Sequence, residues 1–297
     1  MTAATPTLAS PGTTLPALAR QEIRAYLRSK LYWFGTAVTA LVVVAMFAWD
    51  DTGSAGAYMI APAVGLGVLG LVVMSGLTRS SDRAAQAAGA VAVPERTRTL
   101  ALAAAVVVPF TTAMAAYAAA VVAWYVRPPQ EWVVPHGVGD PFVLAQMFGD
   151  GVVCAVGGPL LGLLLARYVP RRGVAAIASV VLVLVTILLQ GNFSGGQPYR
   201  VFWFWTYFLG QLGWGADPDG SIHFRTAPGN PFLWVLYLVA VCALGVVVAV
   251  LHDPESDRTR LRNLALGLLG AALVLGVLTM TVGYPDVLVN PLPCGTC

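Results

Sequence analysis

Lysine is nearly absent from this chain: Lys30 is the one instance in 297 residues, and charged side chains of all kinds make up only 10%. A Walker-type phosphate loop needs G-x-x-x-x-G-K-[ST], and Lys30 stands instead in RSKLYW. Any ATP hydrolysis tied to this chain is therefore expected from a partner. The shortage of charge excludes an ordinary soluble domain, in which about a quarter of the residues are charged. A net charge of +3 is too small to suggest a nucleic-acid surface. The three histidines, His136, His223 and His252, fall in expected loops, and no HExxH or Ser-His-Asp grouping can be assembled from them. That weakens an intramembrane protease or a proton-coupled carrier. The first 30 residues lack the basic head, short apolar run and small-residue cleavage site of a signal peptide, so the first apolar segment is expected to be retained.

What the chain has in quantity is apolar length. It is 58% hydrophobic with a mean hydropathy of +0.75. A helix needs roughly 20 apolar residues to cross the hydrocarbon core. Runs of that order lie at 31–49, 57–77, 100–126, 142–168, 173–190, 231–251 and 264–283. The expected fold is an all-α polytopic membrane protein of about seven transmembrane helices. Basic residues are retained on the cytoplasmic side. A cytoplasmic N-terminus leaves only Arg127, Arg200 and Arg225 outside, which fixes the C-terminus outside for an odd number of spans.

Four stretches carry more than span-forming information. Residues 15–31 place Leu15, Ala19, Ile23 and Leu27 on one helical stripe and Arg20, Arg24 and Arg28 on the next, with Lys30 following. This describes an interfacial helix, apolar side down on the bilayer, turning sharply into the first span. The connection 78–99 holds an Ala-rich segment, 82–88, expected as a short separate helix with Ser80 or Ser81 as N-cap, and Pro94 ends it before Glu95, Arg96 and Arg98. In the outer connection 191–230, the aromatics Phe202, Trp203, Trp205 and Tyr207 are too dense for a solvated loop. They read as a helix or helix pair dipping into the outer leaflet; a full eighth span is the competing reading, which the charge rule resists. The tail carries Cys294 and Cys297 as C-x-x-C on the expected outer, oxidising face. A disulfide or an incidental pair is weighed there against thiol exchange, metal capture or cofactor attachment. A c-type haem would need a His after the second Cys.

Inside the membrane, Asp150 with Gln146 one turn away is the candidate polar contact in a substrate path. The expectation is that the fourth span begins near Met147, leaving Asp150 at the outer interface. Pro62, Pro109 and Pro159 fall within spans and permit kinks. Cys154 and Cys242 read as small apolar packers.

In order of parts the chain resembles the membrane subunits of ABC exporters of the type-2 class: a basic amphipathic helix joined to the first span, a Pro94–Arg96 stretch before the third, and an aromatic segment, 200–214, before the sixth. The resemblance covers about residues 15–251. It implies a connecting helix, a coupling segment docking on an ATPase subunit through Asp82, Arg83, Gln86, Pro94, Glu95, Arg96 and Arg98, and outer gate helices. It also implies ATP and Mg on that partner, no cofactor or metal on this chain, and a second permease subunit, identical or related. The division is then 1–30 as the N-terminal interfacial part, 31–251 as a six-span exporter-like core, and 252–297 as a loop, an extra span and the Cys-containing tail. Members of that class commonly stop at six spans, and Asp82 stands where Glu is frequent. A membrane thiol-redox or metal-handling protein using the C-x-x-C, or a non-transporting scaffold, is the alternative. Arg in place of Lys, with abundant Ala, Val and Gly, suggests a high-GC bacterial genome and its inner membrane.

Overall fold

The computed structural model describes residues 11–48, 55–89, 93–127, 139–171, 173–192, 213–216, 222–225, 230–282 and 288–289. Six helices in it are long and apolar enough to cross a membrane: Lys30–Ala48, Ile60–Ala88, Glu95–Val126, Asp140–Tyr168, Pro231–Leu251 and Arg258–Thr279. A further apolar helix, Val174–Asn192, lies between the fourth and fifth of these and is counted below as the fifth of seven spans. The protein is an all-α multi-pass membrane protein.

In chain order the helices are α1 (Pro11–Leu27), α2 (Lys30–Ala48), α3 (Ala55–Tyr58), α4 (Ile60–Pro62), α5 (Leu69–Ala88), α6 (Glu95–Ala104), α7 (Val107–Val126), α8 (Asp140–Phe148), α9 (Cys154–Tyr168), α10 (Val174–Asn192), α11 (Pro231–Leu251) and α12 (Arg258–Thr281). The second span joins α4 to α5 through a π-helical turn, Ala63–Val68, and the fourth joins α8 to α9 through another, Gly149–Val153. Proline explains part of this segmentation, because it frees the carbonyl four residues earlier. Pro62 follows the break at Met59, and Pro109 follows the break at Ala105 and Val106 between α6 and α7. Pro159 lies inside α9, beyond the second π-turn.

The second and fourth spans form the centre, each 67% buried over its most apolar window, against 11% for the seventh. They meet through glycine. A side chain on Gly158 or Gly162 would collide with the backbone of Gly67 or Leu71, so this GxxxG pair brings two helices to backbone contact. Gly35 and Gly65 do the same between the first and second spans. The sixth and seventh spans pack against each other, and the outward face of the seventh (Leu266, Leu273, Val274) is exposed, as a lipid-facing surface requires.

The sixth span starts at an Asn-Pro cap: Asn230 Oδ1 accepts from Phe232 N at 3.0 Å and Leu233 N at 3.3 Å, with Pro231 at the first helical position. Among the described residues, the departure from helix is a small antiparallel sheet of β1 (Gly213–Ala216), β2 (Ile222–Arg225) and β3 (Leu288–Val289), in which Gly213 faces Arg225 and Phe224 faces Val289. It joins the connection before the sixth span to the tail after the seventh, so both lie on one side of the bundle, as two intervening spans demand.

Four expectations need correction. The 82–88 segment is not a separate helix: α5 runs unbroken from the second span to Ala88, since Ala is the best helix former, and it ends at Gly89 with φ of 58°. Ser80 and Ser81 are consequently interior rather than caps, and Ser80 Oγ donates to Leu77 O at 2.8 Å. The fourth span begins at Asp140, with Pro141 in its first turn, rather than near Met147. The end of the aromatic outer segment, Gly213–Ala216, is strand rather than helix. Phe202, Trp203, Trp205 and Tyr207 lie outside the described residues, as do Cys294 and Cys297.

Candidate functional site

Among the described residues, two places bring chemistry-bearing side chains together: the end of the bundle carrying α1, and the π-turn of the fourth span.

At the α1 end, α5 overshoots the membrane and carries Asp82 beside residues distant in sequence. Arg167, in the last turn of α9, donates through Nη1 to Asp82 Oδ1 at 2.6 Å and lies 3.4 Å from Glu95 Oε1. Arg98 Nη1 reaches the same Asp82 oxygen at 2.9 Å. Glu95 Oε1 is also 2.6 Å from His252 Nδ1, just past α11, and Asp253 Oδ2 accepts from the backbone N–H of Arg96 at 2.9 Å. One network therefore fastens the second, third, fourth and sixth spans. The Arg167 side chain is only 3% exposed, so its charge depends on these two carboxylates.

The expected docking set divides in two. Asp82, Glu95 and Arg98 turn inward to this network, whereas Arg83, Gln86, Pro94 and Arg96 are exposed. Arg167, the centre of the network, escaped sequence reading because it appears there only as a positive-inside flank.

The N-terminal helix completes this end. Arg20, Arg24, Arg28 and Lys30 are exposed, as the arginine stripe foretold. The apolar face, expected on lipid, packs partly on protein: α1 lies against α6, Ile23 packs on the core and the adjacent Tyr26 is buried edge-on to Tyr32 with ring centroids 5.5 Å apart, while Leu27 is exposed. The joint to the first span is short, and Trp33 Nε1 donates back to Leu27 O at 2.7 Å. Glu22, half-buried on α1, touches α5: burial pushes its carboxyl above the ordinary glutamate range, and a hydrogen bond with Ser81 offsets part of that rise.

In the fourth span, Asp150 is 4% exposed and Gln146 8%. Ten residues separate Asp150 from the helix start at Asp140, about 15 Å along the axis. Asp150 is thus set well inside the helix and buried by protein; a carboxylate at bilayer depth costs about 2.5–3.5 kcal/mol on insertion scales. It stands on a π-turn, a feature frequent at functional sites. Trp234 of the sixth span is fully buried over Gly149, and Met59 lies over Gly151. One turn further in, a narrow apolar cleft of about 120 Å³ opens between α9 and α11, lined by Cys154, Gly157, Leu161, Leu238, Cys242 and Gly245. The two cysteines line this cleft as well as filling space.

Among the described residues no group of three or more His, Cys, Asp and Glu is arranged to hold a metal ion. No protein-family model, no curated protein and no solved structure matches the chain.

Proposed function

We propose that this chain is the membrane subunit of an ATP-driven ABC exporter of the type-2 class, in a bacterial inner membrane with its N-terminus in the cytoplasm. It works with a second membrane subunit, and a separate ATPase subunit binds ATP and Mg. The observation carrying this reading is the arrangement at the α1 end. A basic amphipathic helix, the overshooting end of the second span and the start of the third meet there, and Arg167 links them to the fourth span. A push on the exposed Arg83, Gln86 and Arg96 would pass through Asp82 and Glu95 into helices that reach across the bilayer. The lack of a P-loop lysine supports a partner as the source of energy.

The test is purification in mild detergent from native membranes, with mass spectrometry and an ATPase assay on what accompanies the chain. A stoichiometric nucleotide-binding subunit is expected, lost on R83E/R96E, which reverses exposed charge and leaves the Asp82 and Glu95 carboxylates in place. Absence of any such subunit, under conditions that keep a reference membrane complex intact, would reject the reading.

A further inference from the structure

We infer that the elbow between α1 and α2 binds the head of an anionic phospholipid, with Arg24, Arg28 and Lys30 on the phosphate and Leu31, Trp33 and Phe34 beside the start of its chains. Such a site needs only a bilayer and is independent of the exporter reading.

Charge is what α1 leaves for lipid. Part of its apolar face is taken up by protein: Ile23 packs on the core, and Tyr26 is buried with its hydroxyl against Gly70 and Pro159. Arg20, Arg24 and Arg28 follow one another at i, i+4, a stripe about 12 Å long, and Lys30 opens α2 just beyond it. All four are exposed, and among the described residues none has an ion-pair or side-chain hydrogen-bond partner. The acid that α1 carries, Glu22, is half-buried on Ser81 of α5, and α2 has none. Cations elsewhere at this end are matched. Arg98 and Arg167 hold Asp82, and Arg258, Arg260 and Arg262 stand beside exposed Glu255 and Asp257.

Depth decides between a lipid and an acidic protein face. With 19 residues α2 is about 28 Å long, against a hydrocarbon core roughly 30 Å thick. The first span has no length to spare, so Lys30 at its start lies at the headgroup boundary. Directly after it, Leu31, Trp33 and Phe34 are 41%, 57% and 61% exposed, and Trp is a common anchor at that level. Trp33 Nε1, bonded to Leu27 O at 2.7 Å, caps the end of α1 and closes the elbow. Cations and apolar side chains thus meet at one depth, as an amphiphile requires. Arginine forks suit phosphate oxygens. A zwitterionic head brings its own cation to the same place, so a net negative head is the better fit.

The experiment uses the full chain in phosphatidylcholine nanodiscs, doped with phosphatidylglycerol or phosphatidylcholine carrying a photoactivatable group near the head. Labelled peptides are read by mass spectrometry. The phosphatidylglycerol probe should label residues 24–34 at about tenfold lower mole fraction than the phosphatidylcholine probe. R28Q should raise the fraction needed about fivefold, the worth of one basic residue at a charged lipid surface. R24Q/R28Q/K30Q should erase the preference between heads. R258Q/R260Q/R262Q, which removes the same charge at the start of α12, should leave it intact. In the unaltered chain the preference should fall as salt rises from about 0.05 M to about 0.5 M, a readout that no variant's folding affects. Equal labelling by the two heads would overturn the proposal and give the cations to an acidic protein face or a second copy. An equal loss in the α12 variant, or a preference unmoved by salt, would overturn it as well.

Discussion

Gly157 and Gly158 are neighbours in sequence and opposites in use. Gly158, with Gly162, faces the second span and lets two backbones touch; Gly157 faces the sixth span across a cleft. The fourth span thus has one seam closed by close packing and one left partly open. The ends of the seams follow the same division. At the α1 end the tight seam is locked by buried Arg167 on Asp82, while the looser one is held by Tyr168 Oη donating to Val248 O at 2.9 Å and by the Tyr168 ring edge-on to exposed His252, with centroids 5.2 Å apart. One helix is therefore packed backbone to backbone on one side and borders a cleft on the other.

The contrast can be broken most severely at Gly158. Gly158→Leu should drive the second and fourth spans apart and cost about 3 kcal/mol or more, read as loss of folded protein in detergent thermal unfolding. An unchanged melting temperature would mean that the seam is not tight. Next in size is the lock. Asp82→Ala removes the shorter of the buried Arg167 contacts and should cost about 3 kcal/mol, at the low end for a buried pair because Asp82 is itself partly exposed. Arg167→Met should cost less, since Asp82 keeps Arg98 and Glu95 keeps His252. Equal losses in the two variants would contradict the placing of Arg167 at the centre.

On the open seam, Gly245→Ala should fold normally and gain about 0.5–1 kcal/mol from helix propensity. A loss would show that the space beside Gly245 is not free. The smallest effect is expected at Glu22. Its carboxyl is raised by burial above the ordinary 4.5, so the stability it contributes is complete below that pH and is lost as pH rises through the folded value. Glu22→Gln should therefore match the parent below pH 4.5 and become the more stable of the two toward neutrality, in unfolding followed across pH. A difference independent of pH would assign the effect to something other than ionisation.

Much of this architecture could be read from the sequence. Apolar length locates the spans, although the third helix starts at Glu95, five residues ahead of its apolar run at 100. The start of the fourth span is legible too, in the Asp140-Pro141 pair that favours a first helical turn just ahead of the apolar run at 142. Other features depend on pairings that no local pattern carries. Asp82 and Arg167 are 85 positions apart, so the inward turn of the expected docking residues could not be foreseen. The use of a glycine likewise depends on what lies opposite it: Gly158 and Gly245 look alike in an apolar helix, and only the facing backbone separates them.

The most direct test of the central claim follows both seams at once. Spin labels would be placed at exposed Ala84 and Arg171 across the tight seam, and at Arg171 and Pro254 across the looser one, with the native cysteines replaced. Pulsed distance measurements on the complex with the ATPase subunit proposed as its partner, with and without ATP and Mg, should find the first distance fixed and the second shifted. A change in the first distance, or no change in either, would contradict a transport subunit that moves along the open face of its fourth span.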